Sequence, residues 1–261
     1  TYAKDDAFEW FGGSVNCKYL IAYKTQDDDF DSDNGYSGSV QFGLIVRDSA
    51  IADISKSEAF ESDNNSSGSA ATPQTSAVFC NVSAFGPSAK LTSVPNSNYL
   101  GAAVQIRRNS SISIFNSAFV GWPVGIQINA SQGNTDLNIQ AGKSKLSGIL
   151  IAGASKKAIE FIAGTGSAYT EASLTDWFTS NTKNKILTTV DDIRYTRPFD
   201  YTNPDWQPFG NSPVVIPSAS NDYFDDPIIK ARPFITKVDF IGGIAPSGAD
   251  ANWHKGWTRF N

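Results

Sequence analysis

The sequence is poor in histidine, in methionine and in charged residues. Its 261 residues include one histidine and no methionine, and Asp, Glu, Lys and Arg together make up 18%. A single histidine excludes a metal site built on a histidine pair. No apolar run approaches the ~20 residues of a membrane-spanning helix, so we expect no membrane-spanning segment in this chain. Because an initiator methionine is missing, we expect position 1 to be a processed or cut end.

The charge that is present is mainly negative. Lys and Arg number 21 against 26 Asp and Glu, which gives a net charge of −5. Binding to phosphates requires clustered cations, so we expect no nucleic-acid partner, and an anionic polymer is also disfavoured. Ser, Thr, Asn and Gly are abundant instead, a composition that favours strands and turns over exposed helices.

A four-residue pattern of acid, any residue, phenylalanine and acid occurs at Asp6–Glu9, Asp28–Asp31 and Glu58–Glu61. The first two copies are 22 residues apart, and the register continues through Val104, Ile126 and Ile149. A unit of this length cannot bury its own apolar face and must stack on its neighbours. We therefore predict an all-β fold, a right-handed parallel β-helix with about 22 residues per turn, in which the longer intervals are surface insertions.

Stacked turns place equivalent residues in ladders about 4.8 Å apart. The predicted inward ladder on the first face consists of Phe8, Phe30, Phe60, Val104, Ile126 and Ile149. A second ladder consists of Cys17, Phe42, Cys80 and Phe115. The two cysteines would then be roughly 9.6 Å apart, beyond the reach of a disulfide, so we expect two buried free thiols.

Three regions follow from this register. Residues 1–168 are predicted to form the β-helix turns, as the C-terminal part of a longer solenoid. Residues 169–196 are predicted to hold a last strand and a short helix, which begins near Ser173 and caps the open end of the solenoid. Residues 197–261 contain eight of the twelve prolines and lack sustained periodicity, which predicts an irregular strap packed on the solenoid.

Several segments carry a family resemblance: Asp5–Gly13, 27–35, Ile106–Asn109, Asn203–Trp206 and Gly256–Phe260. They resemble a Bacteroidota family of secreted or surface right-handed parallel β-helix proteins of largely uncharacterised function. The resemblance covers nearly the whole chain and implies export to the extracellular space or the outer-membrane surface. It implies no catalytic residues. Asp48-Ser49-Ala50 resembles the acceptor motif for O-linked glycosylation in those bacteria, which makes Ser49 a candidate modification site.

Acidic residues recur beside the first ladder and are predicted to point outward. The candidate metal ligands are Glu9, Asp29, Asp31, Asp33, Glu61 and Asp63. Stacked carboxylates repel one another, and a bound Ca²⁺ would offset the repulsion, since it takes six to eight oxygen ligands. In the other interpretation, no metal is present: Arg107 ends the column as an ion pair and solvent screens the remaining charges.

The sequence leaves two functions open. The first is a non-catalytic surface scaffold or adhesin-type protein that binds polysaccharide or other surface proteins. The second is a polysaccharide lyase or glycoside hydrolase that uses the acidic face. We favour the first because the lone histidine, His254, lies in the tail and no known catalytic motif occurs. Aromatic side chains such as Tyr36, Trp122 and Tyr223 are candidates for stacking on sugar rings, but we favour a packing role for them.

Overall fold

The computed structural model describes residues 2–87, 101–217 and 222–260. Its strands are β1 (Phe8–Phe11), β2 (Cys17–Tyr23), β3 (Phe30–Asp33), β4 (Ser39–Val46), β5 (Phe60–Ser62), β6 (Val78–Phe85), β7 (Ala102–Arg107), β8 (Ser113–Val120), β9 (Val124–Asn129), β10 (Leu146–Ala152), β11 (Lys157–Ile162), β12 (Lys185–Leu187), β13 (Tyr195–Arg197) and β14 (Asp205–Pro208). The α-helices are α1 (Thr135–Gln140), α2 (Glu171–Ser180) and α3 (Pro227–Lys230). Two 3-10 turns cover Val190–Ile193 and Ala249–Ala251.

Alternate strands form two stacked parallel sheets, so the chain is a parallel β-helix. The first sheet has the order β1-β3-β5-β7-β9-β11, and the second has the order β12-β10-β8-β6-β4-β2. Each turn of the chain therefore adds one strand to each sheet. The short antiparallel pair of β13 and β14 stands apart from both sheets.

The predicted inward ladder is confirmed from Phe8 to Ile126 and is wrong at its last member. Phe8, Phe30, Phe60, Val104 and Ile126 are paired in sequence through the first sheet. Ile159 is the next member, whereas Ile149 lies in β10 of the second sheet and pairs with Ser117. Helix α1 and strand β10 intervene between Ile126 and Ile159, so counting by a fixed interval picked a strand of the wrong sheet.

The last pair of the second predicted ladder, Cys80 and Phe115, is confirmed, but the rest of that ladder is wrong because the strands of the second sheet bend. A residue with positive φ interrupts each of five strands, at Tyr19, Phe42, Asn81, Asn116 and Gly148. The pairing skips these positions. Cys17 pairs with Val40, and Cys80 pairs with Gln41 and Phe115. Both cysteines are free thiols, with Cys80 buried and Cys17 partly buried.

The core between the sheets is aliphatic and aromatic. Phe30, Phe60 and Phe79 are fully buried and contact one another with ring centroids 5.1 to 6.1 Å apart. Burying a side chain of this size contributes roughly 1.5–3 kcal/mol. Tyr36 and Trp122 also lie in this core, so neither presents a ring to solvent.

Helix α2 packs on the C-terminal end of this core through Leu174 and Phe178. It begins at Glu171, two residues before the predicted start. Thr170 is the N-cap: its hydroxyl accepts the N–H of Ser173, and the Ser173 hydroxyl accepts the N–H of Thr170.

The tail packs on the outer face of the second sheet. Its contacts include Tyr195, Trp206, Val214, Phe224 and Ile241, which are buried against outward side chains of the sheet. Among the described residues, no helix is long and apolar enough to cross a membrane.

Candidate functional site

The outer face of the first sheet carries a column of polar side chains, one per strand. Glu9, Asp31 and Glu61 are neighbours in register, and the column continues through Gln105, Gln127 and Glu160. We call the first three residues, Glu9, Asp31 and Glu61, the strand column. Glu160 ends the column through its pairing with Gln127.

A second column of acids lies in the turns that lead into the same strands. Asp6 Oδ1 accepts a hydrogen bond from the N–H of Asp28 at 2.9 Å, and Asp28 Oδ1 accepts the N–H of Glu58 at 2.6 Å. Glu58 Oε1 in turn accepts from Gln105 Nε2 at 3.3 Å. We call Asp6, Asp28 and Glu58 the turn column. Each of its carboxylates is fixed in place by a donor from the following turn.

The two columns lie close enough to share a cation. Oxygen atoms of Asp6, Glu9 and Asp31 lie within 4.8 Å of one another, as do those of Asp28, Glu58 and Glu61 and those of Asp5, Asp6 and Asp27. We call these eight residues together the acidic face. Such a set of carboxylate oxygens matches the hard oxygen ligands that Ca²⁺ prefers.

Burial and mutual repulsion raise the pKa of these carboxylates and so favour their protonated forms. Burial, followed by the charges of Glu61 and Asp6, raises the pKa of Asp31 to about 8. Burial also raises the pKa of Asp6 to about 7 and that of Glu58 to about 8. The pKa of Asp28 is raised well above its ordinary value by burial and by the charge of Glu58. Protons and cations therefore compete for one face.

Arginines neutralise one end of the face. Arg107 contacts Glu61 at 2.6 Å and Asp63 at 2.9 Å, and Arg108 contacts Asp63 at 2.6 Å. Arg107 also donates to Gln105 Oε1 at 2.7 Å. In the described part of the chain, the ion pairs of this region involve Glu61 and Asp63 but not Asp31.

The structure separates the six sequence-predicted ligands. Glu9 and Asp31 lie together, and Glu61 lies in a neighbouring group. Asp63 is held by the two arginines, and Asp33 Oδ1 accepts the N–H of Asn34. Asp29 is fully buried beside Arg47, at 3.2 Å, and belongs to none of the three acidic groups.

Sequence reasoning missed the turn column although its residues are part of the repeat. Asp6, Asp28 and Glu58 are the first acid of each four-residue pattern. Strict strand alternation would send a residue two places before Phe8 inward. The strands begin only at the phenylalanine, so alternation does not apply to the preceding turn. The recurrence of an acid at this place in three copies was the available signal.

Two other sequence candidates lie away from the acidic face. Ser49 is half-buried in the turn after β4, where Asp48 Oδ1 accepts the N–H of Ala50 at 3.0 Å. His254 lies in the tail beside the rings of Trp206 and Trp253, and it is buried rather than at the surface. Burial lowers the pKa of His254.

A protein-family model matches most of the chain. The model of a family described as a pectate-lyase-like β-helix domain matches residues 1–193. The match includes both sheets and the acidic face. Searches of curated proteins and of solved structures gave no match.

Proposed function

Because this chain belongs to the pectate-lyase-like β-helix domain family, we propose that it is a non-catalytic extracellular or cell-surface scaffold of adhesin type. In this proposal it binds polysaccharide through Ca²⁺ on its acidic face. The observation that carries the proposal is the crowding of protonatable carboxylates outside the first sheet.

Asp6, Glu9 and Asp31 are the proposed ligands. Asp31 belongs to this group, and its Oδ1 is a buried oxygen without a hydrogen-bond partner among the described residues. A buried acceptor left unpaired is destabilising, and a cation would satisfy it. The group provides fewer ligands than the six to eight that Ca²⁺ takes, so water or sugar oxygens would complete the shell. Bound calcium would also reduce the negative charge of the three ionised carboxylates from −3 to −1, and it can itself accept carboxylate oxygens of an anionic polysaccharide.

A thermal melt at pH 8 with Ca²⁺ or with chelator tests the metal site. Ca²⁺ should raise the melting temperature of the wild type, since a ligand bound only by the folded state stabilises it. Asp31→Asn should remove this increase. The control is Asp176→Asn, an exposed carboxylate on α2, which should respond as the wild type does. An equal increase in Asp31→Asn would reject the site.

Binding to polygalacturonate tests whether the protein binds polysaccharide through Ca²⁺. We expect retention on the immobilised polymer in Ca²⁺ and release by chelator. Retention that does not respond to chelator would contradict binding through calcium.

The alternative is a polysaccharide lyase or glycoside hydrolase that uses the same face. It is favoured by the raised pKa of Asp31 and Glu58, since a carboxyl group protonated at neutral pH can act as a general acid. Reducing ends or unsaturated products from polygalacturonate, formed by the wild type and not by Asp31→Asn, would establish it. If wild-type reactions yield neither product, the enzyme alternative is rejected and the scaffold function remains.

Five finer points belong to the same proposal. The solenoid is right-handed with a basic turn of about 22 residues, α2 caps its end, and 197–261 serve as its strap. Other surface proteins are a second class of partner. Export in a Bacteroidota-type host would allow O-glycosylation of Ser49. A mass increase on the peptide containing Ser49, lost in Ser49→Ala, tests the modification.

A further inference from the structure

Four aromatic rings form a continuous row on the second sheet and the tail. Phe42 stacks on Tyr19 with ring centroids 5.0 Å apart, Tyr19 contacts Trp253 at 5.2 Å, and Trp253 stacks on Trp257 at 6.2 Å. Phe42 is buried, whereas Tyr19 is 40% and Trp257 is 61% exposed. We call these four residues the aromatic row. It leads from the protein interior out to solvent.

The two indoles are held in place by the backbone. Trp253 Nε1 donates to the carbonyl of Gly243 at 2.7 Å, and Trp257 Nε1 donates to the carbonyl of Trp253 at 2.6 Å. With the polar side-chain atom of each ring satisfied and the two rings stacked on each other, the ring surfaces that stay exposed offer a ligand an apolar contact. A platform fixed in advance loses little entropy when a ligand binds.

Tyr19 carries backbone strain that burial of its ring does not explain. Its φ is 61°, in the left-handed region that bulky residues rarely occupy. At the equivalent bend of other strands, the chain has Asn81, Asn116 and Gly148, which tolerate this conformation better. Phe42 shares the strain, but its ring is buried against Phe240. The ring of Tyr19 packs on Phe42 and Trp253 but remains 40% exposed, so the strained backbone holds an aromatic ring at the surface.

A cleft with polar groups adjoins the row. Phe240 stacks on Phe42 with centroids 6.2 Å apart and forms part of the wall of a cleft of about 520 Å³. Lys237, Asp239 and Asp250 also line it. These groups supply both donors and acceptors, as sugar hydroxyls require. Because both charge signs are present, the cleft suits a neutral ligand better than an anionic one.

We propose that the aromatic row and the adjoining cleft bind a neutral oligosaccharide. One pyranose ring stacks on the exposed face of Trp257, another sugar contacts the exposed part of Tyr19, and the sugar hydroxyls bond to the polar groups of the cleft. This site lies on the second sheet and the tail, and it needs neither calcium nor the acidic face.

Calorimetric titration with cellohexaose, mannohexaose and xylohexaose, all in chelator, tests the proposal. At least one should bind the wild type and shift its tryptophan fluorescence. Trp257→Ala should weaken that binding by about tenfold or more. Phe209→Ala is the matched control, because Phe209 is a 52% exposed aromatic residue of the tail that lies outside the row. This variant should bind the oligosaccharide with the affinity of the wild type.

Tyr19→Asn separates binding from folding. Asparagine tolerates the left-handed backbone, so the melting temperature should stay within about 4 °C of the wild type while affinity falls by about tenfold. The proposal is overturned if none of the three hexasaccharides binds the folded wild type, or if both row variants bind as the wild type does. Since chelator is present throughout, failure of the calcium-dependent function would leave these outcomes unchanged.

Discussion

The carboxylate of Asp28 accepts a hydrogen bond at 2.6 Å from the backbone N–H of Glu58, its counterpart in the next turn. Asp6 makes the same bond to Asp28 at 2.9 Å. One acid per turn thus holds the backbone of the following turn and also adds negative charge to the acidic face. Asp28 therefore stabilises the solenoid through the hydrogen bond that its carboxyl oxygen accepts. When it is ionised, it destabilises the solenoid through its negative charge.

Two substitutions of Asp28 should separate these effects. Asp28→Ala leaves the N–H of Glu58 without its acceptor and should lower the free energy of unfolding by about 1–3 kcal/mol. Asp28→Asn keeps an acceptor oxygen and removes a carboxylate whose pKa is raised, so it should be at least as stable as the wild type at pH 8. Urea unfolding measures both. Equal destabilisation by Ala and Asn would show that the hydrogen bond is not the stabilising element.

Stability without calcium should fall as the pH rises. The pKa of Asp31 is raised from 3.8 to about 8, and that of Asp6 from 3.8 to about 7. The folded state therefore binds protons that the unfolded state releases, and this stabilisation is lost as pH rises through 7 to 8. Urea midpoints in chelator should decrease between about pH 5 and pH 8. Asp31→Asn should show a shallower decrease. A midpoint that increases over this pH range would contradict the raised pKa values of Asp31 and Asp6.

Much of the fold could be predicted from the sequence because the repeat is visible wherever turns are regular. Phe8, Phe30 and Phe60 follow acids in the same pattern, and their pairing was predicted correctly. The register failed at Ile149, since the residues between Ile126 and Ile159 include a helix as well as a strand of the second sheet. A fixed interval does not detect such an insertion.

The second sheet and the tail were harder to predict. Phe42 adopts a left-handed conformation, and neither composition nor alternation marks a phenylalanine as a bend. Tyr19 and Trp253 are 234 positions apart in the chain and contact each other only because the tail folds back on the second sheet. Strand periodicity carries no signal for such contacts, so the aromatic row is seen only in the structure.

The buried pair of Asp29 and Arg47 should be costly to break from one side. Their charged atoms lie 3.2 Å apart, and both side chains are 0% exposed. Arg47→Met should lower stability by about 3–5 kcal/mol at pH 8, because it leaves a buried carboxylate without its cation. Since burial raises the pKa of Asp29 to about 6, the loss should be smaller at pH 5, where Asp29 is protonated. A loss independent of pH would assign the effect to the bond from Arg47 to the carbonyl of Asp27 instead.

Asn81 should link the second sheet to the tail. Its Nδ2 donates to the carbonyl of Phe240 at 2.8 Å, and its φ is 55°. Asn81→Gly keeps the backbone conformation and loses the bond, whereas Asn81→Ala loses the bond and adds left-handed strain of about 1–2 kcal/mol. Both variants should therefore increase hydrogen exchange around Phe240, and Asn81→Ala should be the less stable by about 1 kcal/mol or more. Unchanged exchange around Phe240 in both variants would show that the tail is held by its apolar contacts alone.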